Sequence, residues 1–239
     1  MSAAAAAPAP FKPSLCFYTC FFGPDGNVAN QIPTPPSQTY PCFYFTNNRG
    51  TLSKLQGTGW KAVDMTRIPI KPTDRENAAD AKELKAAPHH FAELKPFTFT
   101  CYYDSKRKVK DTDVVGMCEY LQAEAAKGAA FMIGHHPFCA AKVWDEFNLA
   151  MGQPRYREEE AKMRAYIAKQ VAAGLKEEKE VHHQTGFIVR RSCPEVEKLN
   201  EAWWAHIQEC GIECQVSFFF IHQLFRPQVV SIPSYAYQY

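Results

Sequence analysis

Residues 97–109, FTFTCYYDSKRKV, run as alternating apolar and β-branched side chains as far as Tyr103, then break on Asp104, Ser105, Lys106, Arg107 and Lys108. The pattern predicts a buried strand that ends on a carboxylate. Runs of the same kind lie on both sides: SLCFYTCFF (14–22), CFYFTNN (42–48), WKAVDM (60–65), AAFMIG (129–134) and QTGFIVRR (184–191). Between them the sequence predicts a helix over about 74–87, opened by Thr73 or Asp74 and closed by Pro88, and another over 111–128, capped by Asp111 or Thr112 and ended by Gly128. Further helices are expected over 139–151, 155–173 and 194–211, the last with Pro194 in its first turn, while CQVSFFFIHQLF (214–225) reads equally as a buried helix or a strand. Strands alternating with helices predict one α/β domain with a central, mostly parallel sheet flanked by helices. Its expected bounds are 14–232, between a disordered Ala/Pro-rich tail at 1–13 and a C-terminal tail at 233–239.

Composition narrows the function. A chain of 239 residues with 46% hydrophobic side chains buries a substantial core. The formal charge of +2 comes from 27 basic and 25 acidic residues that are interspersed, which excludes a broad nucleic-acid-binding face. Any anionic ligand must be met by a local cluster. No run approaches the roughly 18–20 apolar residues of a membrane span, and MSAAAAAPAPFKPS lacks the charged and long apolar regions of a secretory signal, so a cytoplasmic location is expected. The nine cysteines, odd in number and mostly inside apolar runs, read as reduced, buried thiols. Zinc is the less favoured reading: Cys210 and Cys214 are four apart and the pairs His135-His136 and His182-His183 offer nitrogens, but no CxxC pair accompanies them and adjacent histidines seldom reach one metal.

Ligands of open α/β sheets sit outside the carboxyl ends of the strands. Those ends here carry Thr19 and Cys20, then Thr46, Asn47 and Asn48, then Asp104 and Ser105, and finally His135 and His136. Asp104 is expected to face the main cleft, where a strand-end carboxylate holds a divalent ion against a diphosphate; an Asp that merely caps a turn is the plainer alternative. Lys82 and Lys85 share one helical face and either reach phosphates or are solvated.

The segments CFYFTNNRGTLSKLQGTGWKAVDM (42–65), AKELKAAPHHF (81–91), YYDSK (102–106), GHHPF (134–138), QTGFIVRRS (184–192) and LNEAWWAHIQECGIECQVSFFF (199–220) follow the order seen in GT-A class glycosyltransferases. Over about residues 14–232 the chain resembles the family that includes plant cell-wall glycosyltransferase-like proteins and glycosyltransferase domains of large algal viruses. The resemblance implies a Rossmann-like GT-A fold and sugar transfer from a nucleotide-diphosphate donor, a UDP-sugar, to a glycan or glycoprotein acceptor, assisted by Mn2+ or Mg2+. It implies Thr19, Thr46, Asn47, Lys82, Lys85, Tyr103, Asp104 and Ser105 at the nucleotide-sugar, and His135, His136, Gln184 and Gly186 at the acceptor or sugar. Asp104 would be the metal ligand, and Asp104, His136 and Gln215 the catalytic groups.

The chain also departs from the family pattern. Asp-x-Asp is reduced to Asp104-Ser105-Lys106, and the Asp111-Thr112-Asp113 triplet falls at an expected helix start. Cys214 stands where relatives carry an Asp, which removes the obvious base of an inverting transferase and leaves Glu213 as a substitute. From a different functional class, the alternative is a non-catalytic nucleotide- or carbohydrate-binding module that keeps the fold.

Overall fold

A computed structural model describes residues 11–26, 32–139 and 141–234, so most of the expected N-terminal tail and residues 235–239 of the C-terminal tail lie outside the described residues. The strands are β1 (Leu15–Phe21), β2 (Cys42–Thr46), β3 (Lys61–Asp64), β4 (Phe99–Tyr103), β5 (Phe131–His135), β6 (His183–Arg191) and β7 (Val229–Ile232). The helices are α1 (Arg49–Lys54), α2 (Asp74–Ala86), α3 (Asp111–Ala123), α4 (Val143–Ala150), α5 (Pro154–Arg157), α6 (Glu160–Ala172), α7 (Pro194–Cys210) and α8 (Cys214–Leu224). They build a single α/β domain on a seven-stranded sheet of order β3-β2-β1-β4-β6-β5-β7. Every neighbouring pair is parallel except those made by β6, which runs antiparallel to both β4 and β5.

Strand periodicity sorts the core into two layers. Cys16, Tyr18, Tyr102 and Ile188 face Trp203 of α7 and Phe218 of α8. Phe17, Tyr44, Cys101, Tyr103 and Phe187 face the opposite way, against Val114, Cys118 and Leu121 of α3. A third cluster, including Phe147, Ile167 and Phe220, packs α4 and α6 against α8. All five residues of β4 are buried, as its uninterrupted apolar character requires.

Helix ends follow local chemistry, with one correction. Thr73 and Glu76 form a reciprocal capping box at the start of α2. Neither Asp111 nor Thr112 caps α3: the cap position is Lys110, without a side-chain bond, and Asp111 is already helical and accepts a hydrogen bond from Ser37 Oγ at 2.8 Å. Gly128, at φ +93°, closes the 3-10 turn that follows α3. Residues 214–224 form a helix, whose start is capped by Glu213 accepting from the Gln215 N–H at 3.0 Å. The helix expected from 139 begins only at Val143. The short α1 and the edge strand β7 carry too few residues for a periodic signal. Among the described residues no helix is long and apolar enough to cross a membrane.

Candidate functional site

Asp104 is the first residue beyond β4, and its backbone N–H continues the ladder by donating to Gly186 O on β6 at 2.9 Å. Its Oδ1 accepts from the Tyr102 hydroxyl at 2.7 Å and pairs with Lys85 Nζ at 3.1 Å. Lys85 is itself buried and lies over the Tyr102 ring, 4.9 Å from its centroid. Burial acts to raise the Asp104 pKa, but Lys85, the Tyr102 hydroxyl, Lys82 and Arg107 outweigh it and hold the carboxyl well below the ordinary carboxylate range. Gly186 makes this crowding possible: a Cβ there would fall 2.7 Å from Asp104 Oδ2 and 2.6 Å from Arg107 Nε. Arg107 is anchored in turn by donating from Nη2 to Gln184 Oε1.

A polar chain leads from this cluster across the sheet end. Lys82 and Lys85 both point at Cys214 Sγ, at 3.3 and 4.0 Å, and the thiol also meets Thr185 Oγ1 at 3.1 Å. The Thr185 N–H donates to Gln215 Oε1 at 3.2 Å, while Gln215 Nε2 donates to Glu146 Oε1 at 2.6 Å. Glu146 Oε2 completes the chain, 3.2 Å from His136 Nε2 and 3.4 Å from Cys139 Sγ. Burial, then the neighbouring Glu213 carboxylate, hold the Glu146 carboxyl well above its ordinary range.

His136, Cys139 and Glu146 lie close enough to share an ion, yet the histidine tautomer opposes it. Nδ1 of His136 accepts from the N–H groups of Phe138 and Cys139 at 3.1 and 2.8 Å, and burial lowers the pKa so that the ring is neutral. Its one proton therefore sits on Nε2 and points at Glu146, leaving no lone pair there for a metal. The group is a hydrogen-bonded relay that positions Gln215.

Other expected residues take separate places. Thr19 and Tyr103 are buried on the α3 face of the sheet, and neither hydroxyl has a hydrogen-bond partner among the described residues; the same holds for Tyr44, which pairs with Thr19. Strand alternation thus separates them from Lys82, Lys85 and Asp104. Thr46 Oγ1 accepts from the Asn48 N–H at 3.1 Å. Asn47 and Asn48 clamp the turn after β1: Asn47 Oδ1 accepts from Gly23 N at 3.0 Å and Asn48 Nδ2 donates to Gly23 O at 2.9 Å. Ser105 lies in the turn beside Asp104, half-buried. His135 stands further along, its ring 6.2 Å from that of His183. Asp104 has a side chain 45% exposed and lines neither of the cavities of about 340 and 500 Å³.

The donor set at Asp104 does not suit a divalent cation. Its Oδ1 is engaged by Lys85 and Tyr102, no second carboxylate adjoins it within the strand-end triplet, and its charged neighbours are Lys82, Lys85 and Arg107. A site crowded with cations favours an anion.

Arg107 and Glu146 went unnoticed in the sequence for different reasons. Arg107 hides in a basic run that reads as solvated. Glu146 had a usable signal, because it falls with Val143, Phe147 and Ala150 on the buried stripe of α4, where a carboxylate needs partners.

No family model matches the chain, and no curated protein matches it in sequence. Among solved structures, it is similar to mouse xyloside xylosyltransferase 1 in its apo form, with a TM-score of 0.50 at 11% identity over 92% of this chain and 84% of that one. It also overlaps CMP:2-keto-3-deoxy-manno-octonic acid synthetase complexed with CTP, with a TM-score of 0.44 at 9% identity over 92% of this chain and 90% of that one. The first likeness is one of fold: the chain is a GT-A-like α/β domain.

Proposed function

We propose that the protein transfers a sugar from a nucleotide-diphosphate donor, a UDP-sugar, to a glycan or glycoprotein acceptor. The observation that carries this reading is the gathering of Lys82, Lys85 and Arg107 around one carboxylate at the strand ends of a GT-A-like sheet. In this reading the diphosphate binds at that gathering, and the basic side chains stabilise the charge that develops on it as the sugar departs. Asp104 orients Lys85 and Arg107, and the cations do the work a protein-held Mn2+ or Mg2+ does elsewhere. Gln184 and Gly186 flank the same spot on β6. Gln215, fixed between Thr185 and protonated Glu146, presents its amide toward the sugar side, with His136 as its support and His135 beyond. The base stacks toward the ends of β1 and β2, near Thr46 and Asn47.

A panel of UDP- and GDP-sugars, assayed for donor hydrolysis with manganese and separately with EDTA, tests this. Release of sugar that persists in EDTA is the expected result. Nucleotide binding without turnover of any donor would instead support the non-catalytic module, a reading that the Cys214 thiol in place of an acid favours.

A further inference from the structure

Adjacent histidines on regular elements point apart, because successive side chains diverge. His89 and His90 converge instead. They sit in the 3-10 turn Pro88–His90 that follows α2, with ring centroids 4.6 Å apart. Both Nε2 atoms reach the same carboxylate oxygen, Oε1 of Glu201 on α7, at 2.8 and 2.7 Å. Behind them Glu83 of α2 meets His90 Nδ1 at 3.0 Å. His89 Nδ1 is buried without a hydrogen-bond partner among the described residues.

We propose that His89, His90 and Glu201 form a zinc-binding site, with Glu83 holding His90 in place from behind. Two imidazoles and one carboxylate with an open fourth position are a familiar zinc ligand set, and a carboxylate on the far nitrogen of a ligating histidine fixes the tautomer that leaves Nε2 free to bind. His136 fails that test because backbone N–H groups occupy its far nitrogen, whereas His90 passes it. With bonds of about 2.0–2.1 Å, tetrahedral geometry sets neighbouring ligand atoms about 3.3 Å apart. The nitrogen–oxygen separations must therefore widen by about half an ångström. Glu201 can supply this, since its side chain is 54% exposed and a small turn about its last bonds moves the oxygen that far. The site is distinct from the strand-end cluster: His89 also lines the 340 Å³ cavity with Thr100, Arg190 and Ser192, toward the end of β4 and β6 opposite Asp104 and Gly186. Zinc here would clasp the turn after α2 to α7 at the wall of that cavity.

The untagged full chain, freed of metal, is titrated with Co2+ and then with Zn2+, following cobalt absorption and bound-metal stoichiometry. About one equivalent should bind with a tetrahedral spectrum that lacks thiolate-to-cobalt charge transfer. His90→Ala and the shape-preserving Glu201→Gln should abolish that signal, Glu83→Gln should weaken binding about 10- to 100-fold, and Cys139→Ala should leave it unchanged. Metal-free melting curves matching wild type would establish that the variants fold. Absence of stoichiometric binding, a thiolate band, or insensitivity to both His90→Ala and Glu201→Gln would overturn the proposal.

Discussion

Replacing Gly186 by Ala puts one methyl group into the crowded point of the strand-end cluster. The added carbon meets Arg107 Nε at 2.6 Å, Asp104 Oδ2 at 2.7 Å and Arg107 Nη2 at 2.9 Å, all shorter than real Cβ contacts allow. Its backbone is not in the left-handed region, so the strand accepts alanine and the side chains must yield. Arg107 can swing outward, but Asp104 is tied by its own N–H to Gly186 O, so its carboxylate must rotate away from Tyr102 and Lys85. One charged hydrogen bond is worth about 1.5–3 kcal/mol. Because the carboxylate is 45% exposed, water recovers part of that, and the stiffer unfolded chain returns about 0.4–1 kcal/mol. A net loss of about 1 kcal/mol in urea unfolding is expected, together with about tenfold weaker UDP binding by calorimetry. Unchanged UDP affinity would refute the view that Gly186 exists to let the carboxylate and guanidinium approach.

The remaining expectations concern stability as well as binding. Glu146 binds its proton more tightly folded than unfolded, so wild type should lose stability as pH rises from the ordinary carboxyl range, and Glu146→Gln should flatten that slope in urea titrations at pH 5 and 7.5. Lys179 has the opposite sign: burial against His183 and His222 pushes it down to about 7, so the unfolded chain binds more protons between about pH 7 and 10. Wild-type stability should therefore climb with pH there by at most about 1.4 kcal/mol per unit relative to Lys179→Met. Thr73→Ala should cost about 1 kcal/mol through the lost capping box and leave UDP affinity unchanged.

The strands were legible because burial on both faces leaves uninterrupted apolar runs such as FTFTCYY, and Asp104 was legible because it ends one. Strand direction was not, since an apolar run reads alike in either sense; β6 turned out antiparallel, which is what brings Gly186 and Gln184 beside Asp104. The octapeptide-scale pattern also could not decide residues 214–224, where small, polar and aromatic residues suit helix and strand equally. At the site, Lys85 could be chosen by helical spacing. Its true partner set, Asp104, Tyr102 and Cys214, depends on long-range packing. The convergence of His89 and His90 depends on a 3-10 turn that no periodicity announces.

The central claim, that the cluster around Lys85 is a diphosphate site needing no protein-held ion, is tested most directly by calorimetric titration of UDP in EDTA into wild type, Lys85→Ala and the exposed control Lys176→Ala. Loss of one charge-assisted hydrogen bond, about 1.5–3 kcal/mol, corresponds to at least about a tenfold fall in affinity. The account requires UDP to bind wild type and Lys176→Ala alike and Lys85→Ala at least about tenfold more weakly. Binding that vanishes from wild type in EDTA, or a Lys85→Ala variant that behaves as the control does, would contradict it.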